Sequence, residues 1–201
     1  MGVNALAYHY VFMRPEPFPT GQRQESPHLY RIFFYDCPPL EKRLQRPISR
    51  KAYNLKDTEE AVLRRQIHEA LVGLRKVALR LGRLNDSFSG WRPKPESVKR
   101  WIEMPEIFQP TDDDFEVDVI QKGVDMRLGL DIASMAFKKQ VDKIVIVAGD
   151  ADFVPVTKLA RREGIDVILD PMWGNAAKDL LSNVDGVMNF RYGTPPLSAS
   201  Q

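Results

Sequence analysis

A short apolar run stands out in the pattern of hydrophobic and polar positions. Residues 143–148, Lys-Ile-Val-Ile-Val-Ala, are rich in Ile and Val and lack polar alternation, and this pattern predicts a central strand of a parallel sheet. Apolar residues then recur at helical spacing up to Gly164, which is a typical helix stop. A second strand, Ile165–Asp170, follows at once. This order predicts a βαβ unit.

The first half of the chain also shows a strand pattern, then a helix pattern, then a second strand pattern. Leu29–Tyr35 is predicted as a strand that ends at Asp36, because two prolines follow and cannot continue a ladder. A helix is predicted from Asp57, as its N-cap, to about Lys76. Val77–Leu84 alternates and is predicted as a strand.

The remaining pattern predicts further elements and a boundary at each end. Residues 85–95 are expected to form a loop, residues 122–138 a helix, residues 175–181 a short helix and residues 184–190 a last strand. We expect residues 1–28 to be a partial N-terminal segment with a Pro-rich loop, residues 29–191 to be the folded domain, and residues 192–201 to be a flexible tail.

The helix predicted at 122–138 contains an unusual carboxylate. Its polar side chains occupy one narrow face, whereas Asp125 projects from near the middle of the apolar arc. A buried ionised carboxylate costs several kcal/mol unless it is paired or bound to a metal. Gly123 and Gly129 are expected to let another element approach closely. Asp125 is therefore a candidate metal ligand, with a helix-capping role as the alternative.

Two more carboxylates, Asp150 and Asp152, directly follow the apolar strand. Ligands of open α/β sheets bind at the carboxyl ends of the strands. One of the two aspartates is expected to cap the following helix, which leaves the other available to a ligand. Asp170 precedes a proline, and it is either a third candidate ligand or a turn former.

Composition narrows the possible functions. The single cysteine, Cys37, permits no internal disulfide and suits a reducing cytoplasm, where we place the protein. The three histidines are scattered, which argues against a zinc hydrolase. No apolar run approaches the roughly 18 residues of a membrane span, so no membrane partner is expected.

Charge is distributed unevenly along the chain, although the net charge is only +2. Basic residues predominate between Glu41 and Arg100, whereas residues 101–120 contain no Lys or Arg. The basic region favours a phosphate-bearing partner, and solvated helix faces are the alternative. Trp91 is expected either to stack on a base or to cover the edge of the core. Three consecutive aspartates, Asp112–Asp114, are expected to be a solvated loop or helix cap rather than a metal cluster.

Taken in order, these motifs resemble a known family. The segments 121–125, 130–133, 145–155 and 158–164 resemble the NYN domain family of PIN-like ribonucleases, and the likeness covers about residues 29–190. The resemblance implies a Rossmann-like three-layer α/β/α sandwich with a mainly parallel sheet. It also implies that clustered acidic residues hold Mg²⁺ or Mn²⁺ and cleave RNA. At matching positions, Asp125, Asp150 and Asp152 would be the metal-binding catalytic residues. Apart from the resemblance, Lys122 and the basic helix from Asp57 to Lys76 are expected to bind the flanking RNA backbone.

The chain departs from the family pattern at its beginning. The family's first strand ends in Asp-Gly-x-Asn, and Met1–Asn4 resembles the tail of that motif with Met in place of Asp. On this reading Asn4 would contact substrate, and either the first strand precedes the sequence given or the protein lacks one ligand. Alternatively, Leu29–Asp36 is the first strand and Asp36 is the missing metal ligand, although no Asn follows it.

The sequence thus predicts a metal-dependent ribonuclease that uses Mg²⁺ or Mn²⁺ and has RNA as its partner. A catalytically impaired RNA-binding or regulatory module of the same fold is the alternative. Self-association as a homodimer is left open. A phosphatase or nucleotide-binding domain is disfavoured because no Gly-rich phosphate loop is present.

Overall fold

The computed structural model describes residues 29–85, 90–172 and 174–188. It divides into two compact units, one ending at Val124 and the other beginning at Asp125. The Pro-rich segment, the C-terminal tail and Asn4 lie outside the described residues.

The first unit contains eight described strands and two α-helices. In chain order they are β1 (Ile32–Asp36), β2 (Arg43–Gln45), β3 (Ala52–Asn54), α1 (Glu59–Val72), β4 (Val77–Leu81), β5 (Arg83–Asn85), β6 (Trp91–Pro93), α2 (Pro95–Glu103), β7 (Phe115–Val117) and β8 (Ile120–Lys122). β1 and β4 pair in parallel, from Ile32 opposite Val77 to Asp36 opposite Leu81. The other pairs, β2–β3, β5–β8 and β6–β7, are antiparallel.

Helix α1 supplies the crossover that a parallel pair requires. It buries Ala61, His68 and Leu71, which share one stripe of the helix. The predicted N-cap, Asp57, was wrong, because the helix begins one residue later, with Thr58 as its cap. The Thr58 hydroxyl accepts a hydrogen bond from the backbone N–H of Ala61 at 3.2 Å. The predicted strand–helix–strand order of this region is otherwise confirmed.

Trp91 lies in a short strand where a loop was predicted, since β6 pairs with β7. Its indole N–H donates to the carbonyl oxygen of Gln45 at 2.7 Å. Its ring lies 5.5 Å from that of Tyr53, centroid to centroid. Trp91 therefore covers the edge of a small β structure, which is the second of the two roles expected from the sequence.

The second unit carries a parallel three-stranded sheet. Its elements are α3 (Val124–Phe137), which begins at the boundary, β9 (Lys143–Val147), α4 (Val154–Arg162), β10 (Asp166–Asp170), α5 (Lys178–Leu181) and β11 (Gly186–Val187). The strand order is β11–β10–β9. β9 was predicted to be central, but β10 occupies that position in the described sheet. The burial agrees, because Val167 and Leu169 of β10 are fully buried whereas Val147 of β9 is 46% exposed.

The βαβ unit predicted from residues 143–170 is confirmed in its elements. Lys143 lies opposite Asp166, and Val147 lies opposite Asp170. Gly164 has a φ of +85°, a conformation that favours glycine and ends the connecting helix as expected. The short helix and the last strand exist but are shorter than predicted.

The chain is therefore a mixed α/β protein with parallel and antiparallel strand pairs. The three-layer sandwich stays a prediction. None of the helices in the described ranges combines the length and hydropathy that a bilayer crossing needs.

Candidate active site

The candidate site is the turn between β9 and α4. Asp150 follows the end of β9 at Val147 and has an extended backbone, with φ −86° and ψ 137°. Its Oδ1 accepts a hydrogen bond from the backbone N–H of Asp152 at 3.1 Å. Asp150 thus caps the 3₁₀ turn Ala151–Phe153 that leads into α4, whereas the N-cap of α4 itself is Phe153, which makes no side-chain cap bond. The expectation that one aspartate caps the following helix is confirmed for the 3₁₀ turn and is wrong for α4. Both carboxylates are exposed.

Buried side chains hold this turn in place. Phe153 and Val154 directly follow Asp152 and are 9% and 6% exposed. The hydroxyl of Thr157, which is fully buried, donates to the carbonyl oxygen of Val154 at 2.8 Å. The turn is therefore anchored on its core side, while Asp150 and Asp152 face solvent on the other.

A neighbouring segment, residues 175–177, closes over Gly149. A Cβ at Gly149 would lie 2.8 Å from the carbonyl oxygen of Asn175, and backbone at that distance cannot move aside cheaply. The backbone N–H of Ala177 donates to the Gly149 carbonyl at 2.9 Å. Exposed Lys178 follows directly. The sequence did not predict that this segment meets the turn, because no local pattern links residues 175–178 to the strand.

Asp170, the further candidate at the end of β10, forms a turn. Its side chain is 1% exposed, and Oδ1 accepts from the backbone N–H of Met172 at 2.7 Å. The turn-forming alternative for Asp170 is confirmed.

The side chain of Asp125 is not buried, contrary to the prediction from the sequence pattern. It lies in the first turn of α3, where a carboxylate suits the helix dipole, but its side chain is exposed. The predicted burial was therefore wrong. The reason is that only the stripe of Ile132, Met135 and Ala136 is buried, whereas other apolar side chains of the helix are exposed, among them Met126, Leu130 and Phe137.

The close approach expected at the two glycines of this segment is also wrong. An added Cβ at Gly123 or Gly129 would meet no atom within 4 Å. What still favours Asp125 as a metal ligand is the family resemblance.

Asp36 lies at the end of β1 with both carboxylate oxygens bonded. Oδ1 accepts from the backbone N–H of Cys37 at 2.8 Å and from Arg64 Nη1 at 3.1 Å. Oδ2 lies 2.9 Å from Nε2 of His68. His68 is 9% exposed. This Asp36–Arg64–His68 cluster was not foreseen, because Asp36 lies 28 residues from Arg64 and 32 from His68 in the sequence.

The three consecutive aspartates serve the local structure, as expected. Asp114 is 6% exposed and completes a capping box with Thr111. The pKa of Asp114 is lowered from 3.8 to about 2, first by the Thr111 backbone N–H and then by the Ser97 and Thr111 hydroxyls, with Arg100 adding its charge. The Asp112 pKa is also lowered, chiefly by its bond with the side chain of Ser49.

The carboxylate oxygens at the β9 turn are the type of ligand that a hard divalent cation prefers. Carboxylate oxygens are the ligands that Mg²⁺ prefers, and Mg²⁺ sites in nucleotide-processing enzymes use one or two carboxylates together with water and substrate phosphates. Asp150 and Asp152 supply two. Within the described ranges, no cluster of three or more His, Cys, Asp or Glu side chains is placed to hold a metal ion.

Comparison with known proteins points to one family. A family model described as NYN domain matches residues 45–190, which is well over half of the chain. No curated protein and no solved structure matches. The matched range contains the β9 turn, Asp125 and Lys122, and it begins after Asp36.

Proposed function

The chain belongs to the NYN domain family, a family of PIN-like ribonucleases, and from that premise we propose that it is a metal-dependent ribonuclease. A nuclease-type function follows from the family in general terms. Our proposal adds Mg²⁺ or Mn²⁺ as cofactor, RNA as substrate, a single catalytic domain over residues 29–191 and a cytoplasmic location.

One observation carries the proposal. Asp150 and Asp152 are exposed at the carboxyl end of a parallel strand, on a turn anchored by buried Phe153 and Val154. Rigid support is what a catalytic carboxylate pair requires, because ligand positions must be held to well under an ångström. Asp125 is the third carboxylate we assign to the site, and this assignment rests on the family resemblance, because no group of three such side chains forms among the described residues.

Each residue has a separate role in the proposed reaction. A bound divalent cation would supply an activated water and would stabilise the charge that develops on the phosphate. Asp150 and Asp152 would hold the cation, and the hydrogen bond from the Asp152 N–H would orient the Asp150 carboxylate. We assign the binding of flanking RNA phosphates to two exposed cations, Lys178, which follows the segment bonded to Gly149, and Lys122.

The test is cleavage of a labelled single-stranded RNA by the purified chain in Mg²⁺ or Mn²⁺. Asp150→Asn should lower the cleavage rate at least ~100-fold, because the metal contributes several kcal/mol and each 1.4 kcal/mol is tenfold. EDTA should abolish cleavage. Asp113→Asn is the matched control, since that carboxylate is 95% exposed, and it should cleave normally. An Asp150→Asn variant as active as the wild type would refute the proposal.

A non-catalytic RNA-binding module is the second candidate, and two observations favour it. No three-carboxylate cluster forms among the described residues, and both oxygens of Asp36 are bonded to protein groups. This candidate predicts RNA binding that EDTA leaves unchanged, without cleavage. Calorimetric Mg²⁺ binding that Asp125→Ala abolishes would exclude it.

A further inference from the structure

Helix α4 of the second unit presents cations on its outer side. The helix packs on β10 through one face, and its buried side chains are Val154, Thr157 and Ala160. The exposed side carries every cation of the helix, namely Lys158, Arg161 and Arg162. A cation is available to an anionic ligand only if no carboxylate of the protein already holds it. The ion pairs around these three side chains therefore decide what the surface can bind.

Two acids lie beside the end of this helix, and both are already paired. Arg161 Nε donates to Asp185 Oδ1 at 2.8 Å, and the backbone N–H of Val167 donates to the other oxygen of the same carboxylate at 2.9 Å. Asp166 Oδ2 lies 2.8 Å from Lys143 Nζ. Both negative charges are therefore neutralised by a cation other than the remaining two of the helix.

Lys158 and Arg162 keep their charge uncompensated. Neither forms an ion pair or a side-chain hydrogen bond with any residue that the structure describes, and they are neighbours on the helix surface because they lie four residues apart. Together with Arg161 and the two paired acids, they line an open cleft of about 770 Å³. The other acids nearby in sequence, Glu163 and Asp142, lie outside this lining. An open cleft with unpaired cations fits the backbone of a nucleic acid strand better than an enclosed small ligand.

The exposed side of α4 connects this cleft with the candidate active site. Pro155, which is exposed, follows Asp152 by three residues, and Lys158 and Arg162 continue the same side of the helix at spacings of three and four. We call these three residues the α4 stripe. At a rise of 1.5 Å per residue the stripe is roughly 10 Å long. A strand that rises about 3.4 Å per nucleotide covers this length with about three nucleotides.

We propose that the α4 stripe binds the backbone of the RNA strand on one side of the cleavage site, with Lys158 and Arg162 as its phosphate contacts. The inference rests on the proposed ribonuclease function, because its ligand is the strand that the β9 turn cleaves. Cations in the last turn also suit the helix dipole. That role accounts for Arg161 and Arg162, but not for Lys158 in the middle of the helix.

Binding of a long single-stranded RNA in EDTA, where metal-dependent cleavage is blocked, tests the inference. A Lys158→Gln and Arg162→Gln double variant should bind at least ~10-fold more weakly at low salt. Its slope of log affinity against log salt should fall by about 1.4, the value for two phosphate contacts with a single strand. An Arg92→Gln and Lys99→Gln double variant is the matched control. It removes the same charge from cations that lie 2.8 Å from Glu116 and 3.8 Å from Glu103, and it should bind as the wild type does. Circular dichroism checks that each variant is folded.

Cleavage kinetics separate this inference from the proposed function. The Lys158→Gln and Arg162→Gln variant should raise KM at least ~10-fold and leave kcat unchanged, because contacts remote from the reacting phosphate are equally strong in the ground and transition states. A wild type that binds RNA without cutting it, with a salt slope that falls in this variant, would refute the ribonuclease and retain the α4 stripe as an RNA-binding surface. An unchanged slope in the variant, an equal loss in the control, or a wild type that binds no RNA overturns the inference.

Discussion

Asp36 illustrates how a carboxylate at a strand end can be structural. Its bonds to Arg64, His68 and the Cys37 backbone hold the end of β1 against α1. Asp36→Asn removes the charge and should lower the free energy of unfolding by about 1–3 kcal/mol, measured by urea denaturation. Asp113→Asn, at a highly exposed carboxylate, should change it little. If Asp36→Asn instead weakens Mg²⁺ binding at unchanged stability, then Asp36 is a metal ligand.

Asp114 makes stability depend on pH in a defined direction. Its pKa is about 2 in the folded protein against an ordinary 3.8, so the folded state favours the ionised form. The resulting stabilisation is fully present above the ordinary value and is lost as the pH falls from 3.8 towards about 2. Asp114→Asn should flatten this part of the curve of unfolding free energy against pH. Equal slopes for the two proteins would show that the Asp114 bonds do not stabilise the fold.

At the level of elements, sequence patterns predicted most of the helices and strands but not which of their faces are buried. The βαβ unit at residues 143–170 was predictable because Ile- and Val-rich runs bracket a helical repeat that ends at Gly164. Asp125 was misplaced because periodicity shows which residues share a face but not which face is covered. The sequence could not decide which residue caps α1, because Asp57 and the adjacent Thr58 are equally suitable. The backbone geometry decides it, and Thr58 is the cap.

The local structure around the candidate metal ligands was predictable from the sequence, whereas contacts between residues far apart in the chain were not. Asp150 and Asp152 follow a recognisable strand. The Asp36–Arg64–His68 cluster and the approach of Asn175 to Gly149 join residues far apart in sequence. No local pattern encodes such contacts.

The contact at Gly149 gives a prediction at this scale. A Cβ there would lie 2.8 Å from the Asn175 carbonyl oxygen, so Gly149→Ala must displace the turn that carries Asp150. We expect a loss of about 1–3 kcal/mol in unfolding free energy together with lower RNA cleavage. Gly129→Ala is the contrasting variant. It lies in α3, where an added Cβ meets no atom within 4 Å, and it should gain about 0.5–1 kcal/mol. Thermal denaturation of both variants tests this prediction. If Gly149→Ala leaves the unfolding free energy unchanged, then the segment around Asn175 moves to accommodate the added Cβ.

At the scale of the whole molecule, our proposal assigns the RNA backbone to particular exposed cations. Residues 101–118 are acidic and apolar, whereas Lys122 and Lys178 are exposed cations that our proposal places on the RNA. Phosphate contacts release counterions, so binding through them weakens as salt rises. A cation that makes no contact with phosphate should contribute nothing to that dependence.

RNA affinity measured against salt therefore tests the assignment. The Asp150→Asn protein should bind single-stranded RNA without cutting it, with an affinity that falls steeply as salt rises. Adding Lys178→Ala or Lys122→Ala should each reduce the slope of log affinity against log salt by about 0.7, the value for one phosphate contact with a single strand. Lys99→Ala is the control, because its ammonium lies 3.8 Å from Glu103 in the acidic region, and it should leave the slope unchanged. A slope that falls with Lys99→Ala but not with Lys178→Ala or Lys122→Ala would contradict the RNA assignment.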